Sequence, residues 1–285
     1  MKAPAKLNLT LEVLARRVDG YHGIRSVMVP LGLADELSIE PSAAFSFECD
    51  DAELAGERNL AAAAVRALFD DPPAVRVRLT KRIPVQAGLG GGSSDAAAVL
   101  RAAQSGAFGA VPRRDWLQIA RALGSDVPFF LAGTGALVEG TGERVTPAGA
   151  IPPWHVLIVK PPVAVSTADA YRELDRRERP QRPRSASVSL ALLEALQRGE
   201  FDSVERLMCN DFHDPIASSA PEIADASEAL RAAGASNAML CGSGSCVFTL
   251  ATDGAAIERI LKRLTLAASF ERYTTQFAAT PEWRS

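Results

Sequence analysis

The sequence predicts a protein of mixed strands and helices, in two domains or one large one, and three observations carry that prediction. A chain of 285 residues, at about 150 residues per domain, has room for two cores. Strict alternation of apolar and polar residues runs from Lys6 to Val13 and again from Val75 to Thr80, the period of strands with one buried face. Alanine-rich runs without helix breakers lie among such stretches, and adjacent prolines at Ile151-Pro152-Pro153 interrupt the chain near its middle. The seam is placed there, giving domains 1–150 and 151–285.

The elements follow in order. In the first strand Leu7, Leu9, Leu11 and Val13 point one way and Lys6, Asn8, Thr10 and Glu12 the other, so Lys6 and Asn8 share a polar face. After the turn Asp19-Gly20-Tyr21-His22-Gly23, strands are expected near 25–31 and 35–40, then a helix over Asn59 to Phe69. The strand at Val75 leads through Pro84 into a glycine-rich loop, and helices are expected over Ser93–Ala103, Arg114–Leu123 and Ser125–Leu131, with strand-like residues at 135–147. A strand from Trp154 to Val159 opens the second half. Arg172 to Arg184 holds six arginines, three acids and two prolines and reads as an exposed loop, or as a contact for a substrate phosphate. Helices near 188–198, 201–209 and 221–233 precede a strand, the loop Gly242-Ser243-Gly244-Ser245, another strand and a final helix.

Composition narrows the function. Subtracting 34 acids from 31 bases leaves a net charge of −3, which gives no general field for a polyanion, so nucleic acid is not the expected partner. Three histidines (His22, His155, His213) and four cysteines (Cys49, Cys209, Cys241, Cys246) show no zinc or disulfide spacing. Scattered thiols suit a reducing cytoplasm. Lys6 and Glu12 interrupt the apolar start of the chain, and no run reaches the ~18 apolar residues of a membrane span. A cytoplasmic protein without a membrane partner is expected.

The strongest motif is Gly88-Leu89-Gly90-Gly91-Gly92-Ser93-Ser94-Asp95, followed at once by a helix. Glycines let backbone approach an anion closely and adopt positive φ, and the free amides of a helix start attract negative charge. The loop lacks the lysine of a Walker sequence, and Ser93 replaces the third glycine of a dinucleotide fingerprint. By itself it reads as an anion cradle or as a flexible turn. Lys6 alone reads as a solvated surface residue, Asp126 as a helix cap, Tyr21-His22 as turn punctuation and Tyr171 as a core aromatic. Gly242–Ser245 is a second anion loop or a plain β-turn.

Taken as an ordered set, these segments resemble the GHMP kinases, whose motifs are an N-terminal strand, a loop of the form Pro84-Val85-Gln86-Ala87-Gly88-Leu89-Gly90-Gly91-Gly92-Ser93-Ser94 and a C-terminal glycine loop. Within that family the resemblance is to the branch whose acceptor is 4-diphosphocytidyl-2-C-methyl-D-erythritol. It is carried by Pro4-Ala5-Lys6-Leu7-Asn8-Leu9, Arg17-Val18-Asp19-Gly20-Tyr21-His22, Gly124-Ser125-Asp126-Val127-Pro128-Phe129 and Asn210-Asp211-Phe212. The resemblance implies a two-domain α/β kinase fold with ATP and acceptor meeting in the cleft, and phosphorylation of the acceptor's 2-hydroxyl in the non-mevalonate isoprenoid pathway. It implies Lys6 and Asp126 as the catalytic pair, residues 84–94 as the ATP loop, and Asn59 and Lys81 near the nucleoside of ATP. It also implies Asn8, Tyr21, His22, Thr167 and Tyr171 as acceptor-binding residues, the two tyrosines as faces for cytosine. Mg²⁺ is expected as the counterion of ATP, with no protein metal ligand named.

Three other readings compete. A homoserine or mevalonate-type kinase would lack Asp19-Gly20-Tyr21-His22. A non-catalytic ligand-binding regulator would need no Lys6–Asp126 pair. A dinucleotide oxidoreductase would carry its glycine loop near the N-terminus after an unbroken strand.

Overall fold

A computed structural model describes residues 1–278 other than 19, 57, 113 and 178–186. Strand β1 (Lys2–Asn8) bends at Leu9 into β2 (Thr10–Arg16), and both pair antiparallel with the 20-residue β3 (His22–Pro41). The sequence predicts one half-buried strand there. Instead the polar face is as buried as the apolar one: Lys6 is 4% exposed, Asn8 1% and Glu12 2%. Neither a solvated Lys6 nor a single strand survives, because the bend folds this segment into the middle of the molecule. The two strands expected near 25–31 and 35–40 are one. Gly32 keeps β3 continuous where other chain crosses it, since a Cβ there would lie 3.3 Å from the Thr275 hydroxyl oxygen.

Next come β4 (Ser46–Cys49), α1 (Leu60–Leu68), β5 (Val75–Thr80), α2 (Gly91–Gln104), α3 (Trp116–Leu123) and α4 (Val127–Ala132), followed by the hairpin β6 (Ala136–Gly140) and β7 (Arg144–Pro147). These strands build one sheet around β3, and helices α1 to α4 bury Val65, Leu68, Leu100, Phe129 and Phe130 with Leu37, Val77 and Leu79 of the sheet. At α2, small side chains decide the packing: Ala96, Ala97, Ala98 and Ala102 are fully buried, which lets the helix lie close to its neighbours.

The second half contains β8 (His155–Lys160), α5 (Thr167–Asp175), α6 (Val188–Gln197), α7 (Phe201–Leu207), β9 (Cys209–Asn210), α8 (His213–Ser219), α9 (Pro221–Ala232), β10 (Met239–Leu240), β11 (Val247–Ala251), α10 (Gly254–Arg263) and β12 (Glu271–Gln276). Its four-stranded antiparallel sheet runs β10-β11-β8-β12, while β9 crosses over to pair in parallel with β2. Residues 150 and 151 fall between β7 and β8, and one core cluster draws on both sides, with Leu7, Val29 and Leu31 against Trp154, Ile158 and Phe248.

Parts of the second half depart from expectation. Arg172–Asp175 form the last turn of α5 rather than a loop, Ser166 having started the helix by accepting from the Asp169 amide. Residues 178–186 of that arginine-rich stretch lie outside the described residues. Helix α8 and strand β12 are additional elements. The first is a single short helix with Pro215 in its first turn, and the second is an edge strand whose Glu271-Arg272-Tyr273-Thr274-Thr275-Gln276 has no apolar alternation to reveal it. Among the described residues no helix is long and apolar enough to cross a membrane.

Candidate functional site

A cavity of about 930 Å³ opens where the first sheet meets the second half of the chain, at the upper end of the size range of small-molecule sites. On its floor β1 places Lys6 and Asn8 two residues apart on one face. The Lys6 ammonium donates to Asn8 Oδ1 at 2.6 Å and lies 3.7 Å from Asp126 Oδ2. Asp126 occupies the cap position of α4 yet makes no capping hydrogen bond. Its carboxylate, 28% exposed, is left to face the cavity and Lys6. The helix is begun instead by the Val127 amide donating to the Gly124 carbonyl and by Pro128 in its first turn.

The glycine loop borders the same space through Gln86, Gly88, Gly90 and Ser93. Positive φ falls at Gly88 (76°) and Gly90 (74°), whereas Gly91 and Gly92 already belong to α2. Gly88 is required by a close approach, since a Cβ there would sit 1.9 Å from the Cys241 carbonyl oxygen. The two glycine loops therefore pack directly on each other. Gly90 starts α2 without a side-chain cap, leaving first-turn amides that have no intrahelical partner at the positive end of a 14-residue helix. The Lys6 amide donates to the Leu89 carbonyl at 3.0 Å, which sets the lysine beside this cradle. Ala87 and Leu89 are core residues, 2% and 1% exposed. Pro84, Val85, Gly91, Gly92 and Ser94 do not border the cavity.

The opposite wall is aromatic. Tyr21 stands at the rim, 70% exposed, and Asp19 of its motif lies outside the described residues. The Tyr171 ring on α5 stacks on the His22 ring at 5.4 Å between centroids and 11° between planes, and meets Phe212 edge-on at 4.9 Å. His22 faces two protein acceptors: Nδ1 is 3.1 Å from the Leu14 carbonyl and Nε2 3.2 Å from Asp175 Oδ2. Thr167 shares a 3.0 Å hydrogen bond with the Ser243 hydroxyl, joining α5 to the C-terminal glycine loop. That loop is held by Asn210, whose amide donates to the Leu240 and Gly242 carbonyls at 2.8 Å each. Arg16, Thr141 and Arg172 also line the cavity. Arg16 at a strand end and Thr141 in a hairpin turn belong to no sequence motif, so nothing local marks them.

Two expected ATP contacts lie outside the cavity lining. Asn59 caps α1, accepting from the Ala61 amide at 2.9 Å and donating to the Leu54 carbonyl at 3.1 Å. Lys81 is clamped by Asp35 Oδ2 at 2.5 Å and Asp95 Oδ2 at 2.8 Å, below the start of α2. Burial pushes the Asp95 carboxyl up to about 7, Lys81 opposing the rise and the Asp35 carboxylate adding to it. A carboxyl raised from 3.8 to about 7 on folding makes the folded state bind the extra proton between those values, so its contribution to stability falls as pH rises through that window. Urea midpoints measured at about pH 5 and about pH 8 should therefore fall more steeply in the parent than in Asp95→Asn. An equal fall in both would contradict this state of the triad.

Among the described residues no three of His, Cys, Asp and Glu gather to hold a metal ion. The anion features fit a nucleotide phosphate; a protein cage for Mg²⁺ is not among them.

The GHMP kinases N terminal domain matches residues 59–134 and the GHMP kinases C terminal domain residues 192–268. A 4-diphosphocytidyl-2-C-methyl-D-erythritol kinase of Deinococcus radiodurans is 40% identical over 89% of this chain and 84% of its own length. That of Symbiobacterium thermophilum is 41% identical over 91% and 93%. A crystal structure of 4-(cytidine 5'-diphospho)-2C-methyl-D-erythritol kinase superposes with a TM-score of 0.80 at 38% identity, covering 98% of this chain and 99% of the other. A homoserine kinase of Cytophaga hutchinsonii superposes at 0.73 with 19% identity over 98% and 93%, a likeness of fold alone.

Proposed function

Because the chain belongs to the 4-diphosphocytidyl-2-C-methyl-D-erythritol kinases, a branch of the GHMP kinases, we propose that it phosphorylates the 2-hydroxyl of that cytidyl substrate from ATP. The reaction lies in the non-mevalonate route to isoprenoid precursors. One observation carries the reading to this chain's own residues: a single cavity joins the glycine cradle, the Lys6–Asp126 pair and an aromatic wall. ATP lays its phosphates on the amides at the start of α2 and on the loop 84–94, and the cytosine lies between Tyr21 and Tyr171. Thr167 and Asn8 hold the acceptor, and the His22 ring backs Tyr171. Asn59 and Lys81 act on the nucleoside end through the packing around α1 and α2.

Phosphoryl transfer through a loose transition state asks mainly for positioning and charge stabilisation. Lys6 supplies positive charge beside the cradle. Asp126 orients the hydroxyl and takes its proton as the new bond to phosphorus forms, and the bond to ADP breaks on the far side. An aspartate is a weak base at pH 7, and a late proton transfer makes that sufficient. ATP brings Mg²⁺ as its own counterion. We place the domain seam at 150/151 and the enzyme in the cytoplasm, whose reducing conditions suit thiols scattered through the chain as these are.

CMP tests the division of the cavity. It is expected to compete with the cytidyl substrate and not with ATP, because only the acceptor carries cytosine. Competition with ATP alone would give the aromatic wall to the nucleotide and contradict the reading.

A further inference from the structure

We propose that Ser26 is a positioning residue for phosphoryl transfer: its hydroxyl fixes the amide of Asn8 so that the amide oxygen holds the Lys6 ammonium. The proposal rests on the kinase reading above and extends it to a residue that does not line the cavity. Ser26 lies on β3, fully buried, opposite Val138 of β6.

The chemistry of donors and acceptors orients the whole series. The Thr10 carbonyl, 2.5 Å from Ser26 Oγ, can only accept, so the hydroxyl proton points there. Ser26 Oγ then presents lone pairs to the Asn8 amide 2.8 Å away, and only the NH₂ end of that amide can satisfy them. With Nδ2 so committed, Oδ1 faces the Lys6 ammonium at 2.6 Å, and an ammonium can only donate. The result is one direction of donation, from Lys6 to Asn8 to Ser26 to the Thr10 carbonyl. A reversed amide would set NH₂ against NH₃⁺. The receiving end is fixed as well, because the bend between β1 and β2 is tied to β3 by the Leu9 amide on the Val27 carbonyl at 2.8 Å and the Val27 amide on Thr10 Oγ1 at 2.9 Å.

Removing the Ser26 hydroxyl leaves a buried NH₂ without an acceptor, a costly state in a dry interior. The amide then has no reason to keep its oxygen on Lys6, and the ammonium loses its 2.6 Å partner. Glycine loop, aromatic wall and Asp126 are untouched. The loss should therefore appear in turnover rather than in ATP binding.

A double-variant cycle on the full chain tests this. Ser26→Ala is expected to lower kcat roughly 5-fold to 30-fold with KM for ATP within about twofold. In an Asn8→Ala background the same change should alter kcat by less than about twofold, because Ser26 reaches the Lys6 ammonium only through Asn8. Should Ser26→Ala fail to fold, Ser26→Cys takes its place, since a thiol fills similar space but accepts weakly. Unchanged kcat in the single variant, or an equal loss in both backgrounds, overturns the proposal. A parent enzyme with no activity on the cytidyl substrate would overturn the kinase reading itself, and this proposal with it.

Discussion

Asp126→Asn is expected to lower kcat by roughly 10² to 10⁴, the usual loss when a positioned acid–base group is removed, with KM for the cytidyl substrate changed far less. The variant isolates chemistry from structure. The Asp126 side chain makes no capping bond, asparagine caps helices as well as aspartate does, and the two side chains are nearly the same shape. What disappears is the proton acceptor and the negative partner 3.7 Å from Lys6 Nζ. Lys6→Met should also lower kcat, since the lost charge faces phosphate oxygens whose charge redistributes in the transition state. The double variant should be little worse than the poorer single one, because the pair acts as one unit. A near-normal kcat in Asp126→Asn would remove it from the catalytic role.

Tyr21→Ala should raise KM for the cytidyl substrate by roughly 5-fold to 150-fold, the equivalent of about 1–3 kcal/mol of base stacking, and leave KM for ATP close to normal. At 70% exposure the Tyr21 ring contributes little to the core, so a folding defect would not confuse the result. Tyr171 is the opposite case. Its contacts with His22 and Phe212 make its replacement a disturbance of packing as well as of binding. Tyr21→Phe keeps the ring face and should cost little. Equal KM values for the parent and Tyr21→Ala would contradict the cytosine assignment.

The parts of the site legible in the sequence are those built from neighbours in the chain. Glycines followed by an alanine-rich helix disclosed the cradle, and the two-residue spacing of Lys6 and Asn8 placed them on one face. Long-range contacts left no such signature. Asp126 reads locally as a helix cap, and only its approach to Lys6, 120 residues earlier, gives it another role. Gly88 is demanded by a carbonyl of Cys241, and Lys81 is claimed by Asp35 and Asp95 from two other elements. Burial misled in the same way, since alternation at Lys6 to Glu12 marks a solvated face unless later chain covers it. Strand β12 was illegible because an edge strand with polar residues on both faces has no periodic signal.

ADP release measured side by side with 4-diphosphocytidyl-2-C-methyl-D-erythritol, homoserine and mevalonate, at one saturating ATP concentration, bears most directly on the central claim. Turnover is expected to depend on the cytidyl substrate and to stay near background with the other two, because neither carries a base for the aromatic wall. Faster ADP release with homoserine or mevalonate than with the cytidyl substrate would contradict it.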